Sequence, residues 1–421
     1  MYLVYEVLLL LAFVLALPWF LLTGVLRGKY LVNLPERMGF YRTRAEGHDL
    51  WIHAVSVGEA IAARPVVAEI LRQRPETSIV FTTTTITGQA QARRLFPDAS
   101  VTYFPFDFAF AVRRFLTHHK PRVFATMETE IWPNVTRLAR ARGLRLLLAN
   151  GRISDRSFPR YRAVRRIVGP ILRKYERILA RETTDRERFV AIGAPAEKVE
   201  VSGNVKFDYE PDRTALDHTA ELEALIAGRK VLVLGSTMEG EDEAFLPEIE
   251  RLVAEQNAFV IIAPRKPERF EQVAGLLTTS SLRFQRRSHS ALSTQHSALP
   301  SVLLLDTLGE LAKIYRYATV AFVGGTLVPV GGHNPIEAAA AGVPVAFGPS
   351  MSNFREIAQV FLHAEAAKEV RSAAEAIEFA ARMFEDEALQ RAWGDRARAA
   401  VQQNRGASER TARRIVELLG P

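Results

Sequence analysis

The chain has 421 residues, 48% hydrophobic and 24% charged, a globular composition that excludes disorder and suits two α/β domains of ordinary size. It contains no cysteine, which excludes a disulfide framework, a thiolate metal site and a cysteine nucleophile. Its formal charge of +8 favours an anionic membrane surface or an anionic substrate, and the lack of helix-turn-helix, RNP-type or zinc-finger signatures ranks nucleic acid low.

Residues 7–26 carry no charge and are dominated by Leu, Val, Phe and Ala. As a helix this stretch would span roughly 30 Å, about one hydrocarbon core. Glu6 precedes it and Pro18 interrupts it. Arg27, Lys29, Arg37, Arg42 and Arg44 follow, so the positive-inside rule puts the rest of the chain in the cytoplasm, at the inner membrane. A cleaved signal peptide fits less well, because neither a basic leader region nor a small-residue cleavage site is present. A helix lying in the membrane plane is the other reading.

Strand-like and helix-like patterns then alternate. Strands are expected at 50–55, 78–83, 101–106, 122–127, 144–149, 178–180 and 199–202, with a helix over 58–71. A polar stretch with Pro211 reads as a linker, and a second series follows at 230–234, 259–263, 302–305, 320–323 and 343–347. From about 372 the pattern is helical almost to the end. The rhythm predicts an α/β protein of two facing doubly wound (Rossmann-like) domains behind a membrane-anchor helix. The expected boundaries are anchor 1–27, first domain 28–207, linker 208–225, and second domain 226–421 including the terminal helices. Residues 285–301, rich in Ser, His and Gln, read as a surface insertion. Its His289 and His296 are better read as solvated than as metal ligands.

Several strand ends carry chemistry-bearing residues. His53-Ala54-Val55-Ser56-Val57-Gly58-Glu59 presents a carboxylate after a glycine turn. Glu59 is either a first-turn carboxylate favoured by the helix dipole or a general base whose pKa burial or a second carboxylate would raise. Met127-Glu128-Thr129-Glu130-Ile131-Trp132-Pro133-Asn134 supplies two more carboxylates, and a Glu59–Glu128 pair at neighbouring strand ends would suit a tuned base. Gly324-Gly325-Thr326 and Gly331-Gly332-His333-Asn334-Pro335-Ile336-Glu337 allow close backbone approach, and a helix starting near Pro335 would aim amides at an anion. Pro264-Arg265 and Leu308-Gly309-Glu310 also follow strands, the first with a guanidinium fork for phosphate or carboxylate.

Taken together, these motifs with Gly203-Asn204-Val205-Lys206-Phe207-Asp208 and Gly235-Ser236-Thr237 resemble the 3-deoxy-D-manno-octulosonic acid (Kdo) transferases of lipopolysaccharide synthesis, in order and nearly end to end. The resemblance implies a GT-B glycosyltransferase with a CMP-Kdo donor and a lipid A precursor (lipid IVA) as acceptor. It implies Glu59 as general base, Glu128 as a second essential carboxylate and Lys206 as a catalytic lysine. It places the CMP site on Pro264, Arg265, Leu308, Gly309, Glu310, Asn334, Pro335, Ile336 and Glu337. Ser236 and Thr237 are candidates for the donor phosphate. Inverting transfer without metal or cofactor is expected, since departing CMP carries less charge than a nucleoside diphosphate and no Asp-x-Asp pair ends a predicted strand. Lys266 and Ala338 depart from the family, which usually has His and Pro there.

Overall fold

The computed structural model describes residues 2–27, 33–41, 47–210, 219–226, 228–288 and 299–420, with backbone alone for 19–27. The chain divides into two compact units, residues 1–208 with 404–421, and residues 209–403.

The first unit holds β1 (Leu50–His53), β2 (Ile79–Thr83), β3 (Ser100–Tyr103), β4 (Val123–Met127), β5 (Arg145–Gly151), β6 (Arg177–Ala180) and β7 (Val199–Val201). Among the described residues they form one parallel sheet in the order β3-β2-β1-β4-β5-β6-β7. Helices cover both faces, so β1, β2 and β4 are buried at every position and read as apolar runs rather than alternations. Trp51 anchors one face, its ring 4.3 Å from Phe115 and 4.1 Å from Phe124. Its indole N–H donates to Thr82 Oγ1 at 2.8 Å, which satisfies the one polar atom it buries.

The chain order reverses between β1 and β4: the connection from β1 goes to β2 on one side, and the later strands are added on the other. Such a switch leaves a crevice at the carboxyl ends of the two strands. Glu59 follows β1 and Glu128 follows β4, so the topology brings both motifs to one place.

The second unit repeats the plan. β8 (Val231–Thr237), β9 (Phe259–Pro264), β10 (Phe284–Arg286), β11 (Val302–Leu304), β12 (Val320–Val323), β13 (Val345–Phe347) and β14 (Ala367–Glu369) form a second parallel sheet, in the order β10-β11-β9-β8-β12-β13-β14. Its switch falls between β8 and β12, after which come Gly235-Ser236-Thr237 and the glycine-rich run to Glu337. The expected pair of doubly wound units is therefore present.

Three expectations need correction. The terminal helices do not all stay with the second unit: helix Ala407–Leu419 returns to the first and buries Ala407, Ala412, Ile415 and Leu419 against Ala63, Val66 and Ile70 of helix Val57–Gln73. Gln285 and Arg286 belong to strand β10 rather than to a loop, while His289 and His296 lie outside the described residues. Of the expected linker, 211–218 lies outside them too, and 219–226 is helical.

At the N-terminus a helix covers Tyr2–Arg27. Tyr5 donates to Asp107 Oδ2 at 2.9 Å, and Glu6 Oε1 accepts from Ala109 N and Asn134 Nδ2, both at 2.9 Å. Phe13 meets Phe108 edge-on at 5.4 Å. Leu3, Val4, Val7, Leu8, Leu10, Leu11, Val14 and Leu15 on the other side are exposed. Among the described residues no helix is long and apolar enough to cross a membrane.

Candidate active site

In the first unit, Ser56 caps helix Val57–Gln73, and Glu59 stands three residues on. The Glu59 carboxylate folds back, accepting from Val55 N at 2.8 Å and from Ser56 Oγ at 3.1 Å. Ser56 Oγ in turn accepts from Glu59 N at the helix start, so the two side chains together fix where the carboxylate sits. Burial raises Glu59 to about 7, and the neighbouring charges of Glu128 and Glu130 add to it against the two local hydrogen bonds. The structural and functional readings of Glu59 are therefore compatible. His53, in the same motif, is core: it stacks 3.8 Å from Phe104, hydrogen-bonds the Thr82 hydroxyl at 3.0 Å, and burial pulls its pKa down to about 3.

Glu128 occupies a left-handed conformation, φ 59°, with its amide donating to Ala149 O at 2.8 Å. This turn ends β4 abruptly and swings the side chain toward the ends of β5 and β6. There its carboxylate meets the buried guanidinium of Arg181 and lies 3.3 Å from Lys206 Nζ. Burial alone would raise Glu128, but Arg181 and Lys206 outweigh it and hold the carboxyl below its ordinary range. Glu130 behaves oppositely: burial, with the Glu128 charge adding, lifts it to about 6.

Lys206 is delivered by the Val205–Asp208 turn. Asn150 Oδ1 accepts from Val205 N at 3.2 Å, Asn204 Oδ1 from Lys206 N at 3.1 Å, and Phe207 is buried. Asp208 closes the turn by accepting from Gly406 N and Ser408 N at the start of the final helix, both at 2.5 Å. Burial lowers the Lys206 pKa against the pull of Glu128.

In the second unit, Pro264 ends β9 beside Thr237, whose carbonyl accepts from Arg265 N at 3.0 Å. The Arg265 side chain is exposed, and its charge opposes the burial that raises Glu337. Asn334 Nδ2 donates to Glu337 Oε1 at 3.3 Å, while Asn334 Oδ1 accepts from Ile336 N at 3.1 Å. Pro335 and Ile336 are buried beneath them. Leu308 and Gly309 are exposed, and Glu310 is paired with Arg287 at 2.8 Å and with the Thr307 hydroxyl. Ser236 is half-buried at φ 59°, and Thr237 is fully buried. The helix expected near Pro335 is Ile336–Ala340, five residues long, with its first amide already taken by Asn334. A helix this short, with that amide taken, does not supply the anion site that the sequence suggested for it.

Residues 32–209 match the family model described as 3-deoxy-D-manno-octulosonic-acid transferase (kdotransferase). The chain is 34% identical over 406 residues to 3-deoxy-D-manno-octulosonic acid transferase of Haemophilus influenzae, covering 95% of this chain and 93% of that one. Against the Bordetella pertussis enzyme of the same name it is 36% identical, with 93% of each covered. The chain belongs to the 3-deoxy-D-manno-octulosonic acid transferase family. Its fold is also that of UDP-GlcNAc 2-epimerase from Neisseria meningitidis, with a TM-score of 0.57 at 14% identity over 89% of this chain and 99% of that one, a likeness of architecture alone.

Within this Kdo transferase family member, three residues escaped the sequence reading. Arg181 is one, a buried cation that sequence position alone does not separate from the other arginines. Glu130 is another, noticed only as a neighbour of Glu128. The third is Glu241, which follows the exposed Glu239 in an acidic run and is itself wholly buried.

Proposed function

We propose that this glycosyltransferase moves Kdo from CMP-Kdo onto a lipid A precursor, lipid IVA, with inversion in one displacement and without a metal. Glu59 takes the proton of the attacking acceptor hydroxyl. The observation that carries this reading is the divergence of two neighbouring carboxyls: Glu59 is raised to about 7 while Glu128 is held ionised. Environments that push paired titratable groups apart mark an acid–base site. A carboxyl raised toward neutrality is, once ionised, basic enough to draw a proton.

Lys206 and Arg181 make the floor of this site cationic around Glu128, which suits an anionic sugar acid beside it. On the second unit, Arg265 is placed for the donor phosphate or carboxylate, and Glu337 with Asn334 for ribose hydroxyls. CMP departs with less charge than a nucleoside diphosphate would, so fixed donors suffice to stabilise it.

The acceptor's acyl chains lie in a bilayer, and helix Tyr2–Arg27 supports a membrane role. It keeps one side against Asp107, Phe108 and Asn134 while eight apolar side chains face outward. An exposed apolar stripe of that extent needs cover, which lipid supplies. The proposed location is the inner membrane with both units on the cytoplasmic side, a reading that the positive charge after the helix supports.

The deciding experiment is incubation of the purified chain with CMP-Kdo and lipid IVA in mixed micelles, reading product mass. A mass increase of one or more Kdo units, inhibited by CMP, not by UDP, and unaffected by a chelator, is the expected result. Turnover of a UDP-sugar instead would overturn the reading.

A further inference from the structure

Glu241 is the first residue of helix Glu241–Gln256, and none of its surface is exposed. A carboxylate taken wholly out of water ordinarily needs a cation or neutralises itself. Glu241 instead receives four backbone amides. Its Oε2 accepts from Met238 N at 2.9 Å and Gly325 N at 2.6 Å; its Oε1 accepts from Thr326 N at 2.9 Å and Leu327 N at 2.9 Å. Two carboxylate oxygens offer about four acceptor positions, so its capacity is filled.

Three of those amides are consecutive. Successive N–H groups converging on one point form a nest, the backbone shape that holds phosphate and other oxyanions. Here a side chain of the protein itself occupies the nest. The amides come from two loops, the turn after β8 and the loop after β12, so the carboxylate is the tie between them. The tie extends further: Gly348 N after β13 donates to Thr326 Oγ1 at 2.8 Å, and Ser350 N to Thr326 O at 3.0 Å. The loops touch closely enough that a Cβ on Gly324 would fall 2.5 Å from Ser236 O. Beyond the nest the same loop runs on to the donor-site candidates. Gly332 N donates to Gly325 O at 2.8 Å, and the His333 ring lies against Gly325.

We infer that Glu241 is a positioning residue for donor binding: by filling the amide nest at residues 325–327 it sets the path of the loop that presents His333, Asn334 and Glu337. This rests on the second unit being the CMP site. Without the carboxylate, four buried amides lose their acceptor and the loop gains alternative paths. If the binding path were then held by only about a tenth of molecules, apparent donor affinity would drop about tenfold.

The test uses the full chain with Glu241→Ala and Glu241→Gln, measuring CMP affinity by calorimetry, the KM for CMP-Kdo, the KM for acceptor, and Tm. The expected result is a weakening of CMP affinity and a rise in donor KM, both about tenfold or more, with acceptor KM unchanged. Formate added to Glu241→Ala should re-enter the nest and restore part of the CMP affinity while leaving the wild type unaffected. Should Glu241→Ala not fold, Glu241→Gln decides on the same readouts. A folded variant with wild-type CMP affinity and donor KM overturns the inference, as does an equal change in donor and acceptor KM. Failure of the wild-type chain itself to bind CMP would instead refute the donor-site reading beneath it.

Discussion

Lys206 Nζ stands 3.3 Å from a carboxylate oxygen of Glu128, and that contact joins two motifs separated by 78 positions in the chain. It explains how one carboxyl of the cluster is held below its ordinary range while its neighbour is raised. Glu128 can hold its charge because Lys206 and Arg181 surround it, and the held charge then works against ionisation of Glu59.

Glu128→Gln should therefore shift the pH dependence of the reaction. In the wild type kcat/KM should rise with pH through the Glu59 pKa, near 7. Removing the Glu128 charge removes a contribution that raises Glu59, so the rising limb should move to lower pH, together with a fall in kcat as Lys206 loses its partner. A pH profile from 5 to 9 with saturating donor reads both. A limb that stays in place would mean that burial and Glu130 set Glu59 without Glu128.

Glu59→Gln should abolish most turnover, on the order of 10²–10⁴-fold, while CMP affinity is kept. Stability gives an independent check. The folded-state pKa of Glu59 lies above its ordinary 4.5, so between 4.5 and about 7 the folded chain binds more protons than the unfolded one. Stability from this group is present below 4.5 and declines as pH rises to about 7. The Gln variant lacks that decline. Its Tm advantage over the wild type should be absent at pH 4 and present at pH 8, as read by calorimetry.

Much of this was legible in the sequence, for stated reasons. Central parallel strands are buried on both faces, so they appear as short apolar runs, and the strands from β1 to β9 and from β11 to β13 were each anticipated within a few residues. The two missed strands, Phe284–Arg286 and Ala367–Glu369, are at sheet edges, three residues long and mostly polar, a composition that protects edges and hides the strand signal. The place of Glu59 in the first turn of a helix was readable, but its raised pKa could be stated only as a condition for a general base, because its causes are burial and residues 69 and 71 positions away. The final helix shows an apolar face in sequence without naming the partner it buries against. Glu241 sits among Glu239, Asp242 and Glu243; burial separates it from Glu239 and Glu243, and only its four amide donors separate it from Asp242, which is also buried but pairs with Arg269.

The outward leucines of helix Tyr2–Arg27 offer a test of the membrane proposal that leaves the inward contacts alone. Leu8, Leu11 and Leu15 are each more than half exposed. A leucine side chain fully buried in lipid contributes on the order of 1.5–3 kcal/mol. Changing the three to Ser should sharply reduce co-flotation with vesicles of anionic phospholipid while Tm changes little, since none of the three packs in the first unit's core. Undiminished flotation would move membrane attachment elsewhere.

Asp208 holds the Lys206 turn and the final helix with one side chain. Its two oxygens accept from Gly406 N and Ser408 N, and Gly203 in the same motif is packed so closely on that helix that a Cβ would fall 3.3 Å from the Ala407 side chain. Asp208→Ala leaves two amides at the helix start without their acceptor. Capping losses of this kind run to about 0.5–2 kcal/mol each way they are measured, and charged acceptors lie at the upper end. The expected outcome is a lower Tm with a further loss of kcat measured well below that Tm, because the turn that aims Lys206 at Glu128 is then fastened only from the Asn150 and Asn204 side. Asp208→Asn keeps one acceptor oxygen and should recover part of both. Unchanged Tm and kcat in Asp208→Ala would show that Ala407, Ala412, Ile415 and Leu419 hold the final helix by apolar packing alone.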